Sequence, residues 1–183
     1  LEVDGSDDEI VLANAFTATD QNWTMFCAFH LDGTVGQDCL FAGSSGGVNR
    51  INVYNANNVH IRANGSGSSN GAKLIATNST ANSSTDYNWN TNPDILVIRQ
   101  DSDKSLYAYS GSASASSAWF VGKSVAYADA SNTNIKIKNI GAFQGATTEF
   151  QGWIGEIGLF NEDIGENKVL YELIPYLRYT WGF

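Results

Sequence analysis

The chain has 183 residues and a net charge of −9, with 16% charged and 12% aromatic residues. That length suits one domain with a sizeable core, and the aromatic and β-branched content excludes a disordered chain. The acidic balance reads as a solubility feature and argues against nucleic acid or an anionic membrane as partner, since phosphate needs clustered Lys and Arg.

No apolar run approaches the ~18 residues of a membrane span. Gly, Ser, Asn and Thr fill the gaps between short apolar runs, the texture of many strands joined by turns. The chain opens on Leu1 with no initiator Met and no signal-like segment, so it is expected to be one domain over 1–183, part of a longer chain or a processed product.

Residues 1–12 read as strand, acidic turn, strand, because Asp4, Gly5, Asp7 and Asp8 are turn formers. The run from Trp23 to Phe29 is apolar on both faces, which predicts a central strand covered on both sides. Cys39 to Ala42 forms the returning strand, so Cys27 and Cys39 either face each other across a hairpin or remain two buried thiols. Neither has the spacing of a zinc site. The glycine-rich loop 43–47 lacks the ending and following helix of a phosphate cradle.

Arg50 to Tyr54 and Val59 to Arg62 predict a hairpin around 55–58. Ile51, Val53 and Ile61 must share a face, and pairing Val53 with Ile61 satisfies this. That register sets Tyr54 beside His60 and Asn52 beside Arg62 on the other face. The four then form either an ordinary solvated sheet face or a polar and aromatic patch able to hold a sugar.

Residues 64–92 are dominated by Asn, Ser, Gly and Thr, with one short strand at 73–77. Long loops in compact domains are often functional. Trp89 sits between Asn88 and Asn90, with Tyr87 beside them. Ring faces stack on the C–H face of a pyranose while amides take its hydroxyls, so this group is a candidate carbohydrate platform; equally, Trp89 plugs one end of a sandwich. The sequons at Asn22, Asn64, Asn78 and Asn82 arise readily by chance in a chain this rich in Asn and Ser.

Asp94 to Gln100 and Leu106 to Tyr109 predict a second hairpin. Its tip carries Asp101 and Asp103, weak calcium candidates, because Ca²⁺ takes six to eight oxygens and only two carboxylates are near. Trp119 to Val121 and Ile135 to Ile140 supply further strands, the latter with Lys136 and Lys138 on one exposed face. From Phe150 to Phe160, bulky residues alternate with glycines that mark a bulge or a closely approaching ring. Trp153, Ile154, Ile157, Leu159 and Phe160 offer the bulk to fill a core. A polar turn at 161–165 follows, then helical spacing at Leu170, Leu173, Leu177 and Trp181. Pro175 either ends this helix near Leu173 or kinks a continuous one.

A buried C-terminal strand closed by a short amphipathic helix resembles the concanavalin A-like lectin/glucanase superfamily, in its laminin G-like and pentraxin-like branches. The opening strand with its acidic turn and the hairpin at 94–109 resemble laminin G-like domains too, so the likeness brackets the chain. It implies an all-β, two-sheet antiparallel jelly-roll sandwich with a short C-terminal helix. The glucanase branch carries a Glu-x-Asp-x-x-Glu strand, which this chain lacks; Glu156 and Glu162 are six apart, with Gly158 and Phe160 between them. Gly155 precedes Glu156 where many relatives have Asp, which removes support for a structural calcium, so no cofactor is expected.

The expectation is therefore a non-catalytic extracellular or virion-surface module that binds glycans, of a phage fibre, tail or head-decoration type. The alternatives are an architectural decoration or oligomerisation domain resting on a structural protein surface, and, remotely, a glycoside hydrolase. Exposure of Trp89, Trp119, Tyr54 and Tyr87 discriminates the first two.

Overall fold

The computed structural model describes residues 2–4, 9–18, 22–32, 37–43, 50–54, 58–62, 71–75, 94–103, 106–112, 120–121, 135–141 and 150–182. Twelve strands run in order through these residues: β1 (Glu2–Asp4), β2 (Ile10–Ala18), β3 (Trp23–Leu31), β4 (Gln37–Ala42), β5 (Arg50–Tyr54), β6 (Asn58–Arg62), β7 (Gly71–Ile75), β8 (Asp94–Gln100), β9 (Leu106–Ser112), β10 (Phe120–Val121), β11 (Ile135–Ile140) and β12 (Gln151–Phe160). They form two six-stranded sheets, ordered β1-β12-β3-β8-β9-β10 and β2-β11-β4-β5-β6-β7. Every pairing is antiparallel. The protein is an all-β jelly-roll sandwich with a short C-terminal helix.

The main core lies between the sheets. Trp23, Met25, Phe29 and Leu96 from the first sheet meet Phe41 and Ile137 from the second. Alternation then sends the other residues of β3 and β8 outward: Phe26, Ile95 and Val97 join a second cluster with Val169, Ile174 and Leu177 of the helix. Both faces of these two strands are covered, as the unbroken apolar run at 23–29 predicts. Each large apolar side chain so buried contributes about 1.5–3 kcal/mol.

β1 and β2 flank one turn in sequence yet lie in different sheets, β1 on β12 and β2 on β11. β3 and β4 are likewise in opposite sheets, so Cys27 and Cys39 are not hairpin partners. Cys27 is a free, fully buried thiol. β11 pairs with β2 across an irregularity between Ile137 and Asn139, where Lys138 Nζ donates to the carbonyls of Leu12 and Ala13. Lys136 is exposed as expected, but Lys138 is half-buried by this grip.

The β5–β6 hairpin forms, with a different register. Val53 pairs with Val59, Asn52 with His60, Arg50 with Arg62, and Tyr54 with Asn58. Asn58, expected in the turn, joins the strand, and the ladder gains a pair nearest the turn. A two-residue shift preserves the alternation that the apolar positions demand, so hydrophobic pattern alone did not exclude it. The juxtapositions of Tyr54 with His60 and of Asn52 with Arg62 are thereby corrected. The hairpin β8–β9 forms as expected, from Asp94↔Ser112 to Gln100↔Leu106.

The C-terminal helix comprises α1 (Glu166–Lys168), a π-helical segment (Val169–Leu173) and α2 (Ile174–Trp181). Pro175 sits in the first turn of α2, where its missing N–H costs least. The π turn just before it, in which Ile174 N–H donates to the Val169 carbonyl, lets the chain stay helical through the proline. It also changes the buried face. Val169, Ile174 and Leu177 are fully buried, whereas Leu170 and Leu173 are only partly so. The five-residue step from Val169 to Ile174 is the step of a π turn, which the 3.6-residue periodicity did not anticipate. No helix among the described residues is long and apolar enough to cross a membrane.

Candidate functional site

The turn that launches the helix is held by a buried cation. Arg99 Nη1 lies 2.8 Å from Asp163 Oδ2, and Arg99 Nε donates to Tyr109 OH at 2.8 Å. The guanidinium stacks 4.0 Å from the centre of the Tyr107 ring. Asp163 Oδ1 accepts the Gly165 N–H, and Thr24 Oγ1 accepts the Ile164 N–H. Together these contacts set where the helix starts over the outer face of the first sheet.

On that face β12 carries a bulge: Ile154 pairs with Phe29 but Ile157 with Cys27, so one extra residue intervenes. A bulge re-aims side chains, and here Ile154 packs in the main core while Glu156 comes up beneath the helix. Trp181 Nε1 donates to Glu156 Oε2 at 3.2 Å, and Tyr176 OH lies 3.2 and 3.3 Å from its two oxygens. Trp153 and Trp181 lie side by side, ring centroids 6.1 Å apart and planes 33° apart. A Cβ on Gly155 would lie 3.0 Å from both rings, tighter than ordinary contact, so the glycine lets them sit close above the strand. His30 continues the row, 6.2 Å from Trp153, its Nε2 3.0 Å from Asp32 Oδ1.

Beside this aromatic row, and sharing Glu156 with it, is a pocket of about 470 Å³ between β12 and the helix. Phe26 and Phe160, 6.0 Å apart, form an apolar base with Ile164 and Leu173. Glu162, Lys168, Glu172 and Tyr176 also line it. A Cβ on Gly158 would overlap the Phe26 ring, so this glycine lets the ring lie against the strand. The surface is accessible, since Trp181 is 38% and Tyr176 50% exposed.

Sequence reasoning placed Trp153 and Trp181 in core-facing roles and considered Glu156 only as part of a missing catalytic motif and of a weakened calcium site. The bulge turns Glu156 out of the core, Trp153 lies on the face opposite buried Ile154, and Trp181 reaches them from the helix. The polar pair Gly155-Glu156 inside an apolar strand was the available signal. Of the residues proposed from sequence, Trp89, Asn88, Asn90, Tyr87 and Trp119 lie outside the described residues. Tyr54, Asn52, His60 and Arg62 are placed by backbone alone, on β5 and β6 of the second sheet. Asp101 is engaged within its own turn: Oδ1 accepts the Asp103 N–H and Oδ2 the Tyr107 hydroxyl, each at 3.0 Å. Among the described residues no group of three His, Cys, Asp or Glu side chains is placed to hold a metal.

No protein-family model and no curated protein sequence matches the chain. Its likenesses are to solved β-sandwich structures. NanB, solved with optactamide, superposes with a TM-score of 0.50 at 18% identity, over 88% of this chain and 27% of that one. Botulinum neurotoxin type C, whose cell entry depends on two ganglioside molecules, gives 0.50 at 10% identity, over 93% and 37%. Tailspike protein 2 of the Escherichia coli O157:H7 bacteriophage CAB120 gives 0.49 at 13%, over 84% and 21%. The chain thus spans little more than a third, at most, of the length of each. At these identities the likeness is one of fold.

Proposed function

We propose that this chain is a non-catalytic carbohydrate-binding β-sandwich, a laminin G-like module of the concanavalin A-like superfamily, forming one domain of a longer protein on a virion or cell exterior. The observation that carries the reading is the row of Trp153 and Trp181 over Gly155, with Glu156 at its edge. Aromatic faces stack on the apolar side of a sugar ring, and a neighbouring carboxylate accepts its hydroxyls. Both Glu156 oxygens already accept bonds from Tyr176 and Trp181, which suits a fixed acceptor and not a proton-shuttling acid. Fold likeness to a ganglioside-interacting toxin is compatible with this but does not carry it.

A glycan array with the isolated chain, with and without calcium, tests the reading, comparing Trp181→Ala with Trp89→Ala. Binding that vanishes with Trp181→Ala while the melting temperature holds places the sugar on β12 and the helix. Loss with Trp89→Ala alone moves it to the loop platform at 87–90. Absence of binding under both conditions supports the architectural alternative, for which Tyr171 and Tyr179, 75% and 91% exposed on the helix, offer a docking face.

A further inference from the structure

We propose that the pocket beside the aromatic row recognises a protonated amine on the bound glycan, making free amino sugars its preferred ligands; this rests on the carbohydrate-binding reading above. The argument is charge complementarity inside a formed cavity. Three carboxylates, Glu156, Glu162 and Glu172, line the pocket against one ammonium, Lys168. No ion pair engages any of these four within the described residues. Glu156 is held by the neutral donors Tyr176 and Trp181, so its charge is oriented but not cancelled.

The base below is aromatic, Phe26 and Phe160, held at 6.0 Å from each other. A cation over aromatic faces and between carboxylates gains from both, and charge-assisted hydrogen bonds to carboxylate are the stronger kind. A neutral acetamide at the same position forfeits the charge term. An acidic sugar meets repulsion from the rim and from a chain carrying a net charge of −9. Because Glu156 borders both the ring row and the pocket, a sugar stacked on Trp181 can direct its substituent past Glu156 into the pocket.

The test is calorimetric titration with tetramers of β-1,4-linked glucosamine and of N-acetylglucosamine, at low and physiological salt. The amine form should bind about tenfold or more tightly, the ratio set by one to two charged hydrogen bonds, and the difference should shrink as salt rises. Glu162→Gln and Glu172→Gln should each reduce the amine preference several-fold while leaving affinity for the acetylated tetramer unchanged. Glu9→Gln, which removes the same charge from the exposed residue before β2 of the second sheet and keeps an oxygen for Asn139, should leave both affinities unchanged. Equal binding of the two tetramers overturns the inference and leaves the carbohydrate reading standing. So does an equal loss in Glu9→Gln and Glu162→Gln, which would assign the preference to net charge. If neither tetramer binds although other array glycans are captured through Trp181, the inference again falls alone. If no glycan of any kind binds, both fall.

Discussion

Replacing Asp163 by Asn should destabilise this protein far more than its surface-turn location suggests. The Arg99 and Asp163 side chains are 9% and 15% exposed and meet at 2.8 Å. Asn keeps the acceptor for the Gly165 N–H but turns an amide NH₂ toward the guanidinium, leaving a buried cation without its counter-charge. Removing one partner of a buried pair costs about 3–5 kcal/mol. The Tyr109 hydroxyl bond and the Tyr107 ring contact survive, and a cation–ring contact contributes about 0.5–2 kcal/mol. The expected loss is therefore at the low end, about 3 kcal/mol. At this chain length each kcal/mol lowers the midpoint by about 2–4 °C, so the melting temperature should fall by roughly 6–12 °C. Urea unfolding followed by tryptophan fluorescence measures the free energy directly. Hydrogen exchange should show the amides of the C-terminal helix losing protection first, because Asp163 anchors the turn from which it starts. A cycle with Arg99→Met should show the double variant less destabilised than the sum of the singles. A loss below about 1 kcal/mol, the range of exposed ion pairs, would refute the claim that Arg99 is effectively desolvated.

Three further outcomes are expected. Gly158→Ala puts a methyl into the Phe26 ring and should cost about 1–3 kcal/mol as the ring is displaced; an unchanged denaturation midpoint would remove the close contact from the account. Burial pushes the Cys27 thiol well above its usual range, and only the thiolate reacts, so site-resolved mass spectrometry should find Cys27 unalkylated in the native protein and fully alkylated in urea. Burial also holds the Tyr109 phenol above its ordinary value of 10.0, against the opposing pull of Arg99. The native state then binds that proton more tightly than the unfolded chain. Its contribution is fully present below pH 10.0 and is lost as pH rises through the higher native value. Urea midpoints of the wild type should fall with alkali more steeply than those of Tyr109→Phe, and parallel slopes would contradict this.

The unbroken apolar run at 23–29 was legible because bulk on both faces of a strand demands cover on both sides, and the structure covers β3 so; the hairpin at 94–109 was legible as two short apolar strands about a polar tip. The polar turn at 161–165 and the helix after it were legible for the same reason, since Val169 to Trp181 has too many apolar residues to stay solvated. Residue pattern also marked β12 as irregular, through glycines that a regular strand would not favour.

What the pattern could not supply were quantities set by contacts distant in sequence. A two-residue slip leaves the alternation of Ile51, Val53 and Ile61 intact, so only the ladder itself decides that Asn52 faces His60. The bulge between Ile154 and Ile157 is fixed by pairing with Cys27 and Phe29, over a hundred residues earlier, and it alone brings Glu156 up under the helix. The π turn before Pro175 likewise reflects packing of Val169, Ile174 and Leu177 on Phe26 and Val97. The sequence by itself determined the sandwich and its closing helix, because burial of apolar periodicity is a local property of each strand. Tertiary structure decided which aromatics reach the surface and which carboxylates gather beside them, because that depends on single-residue offsets where two distant segments meet.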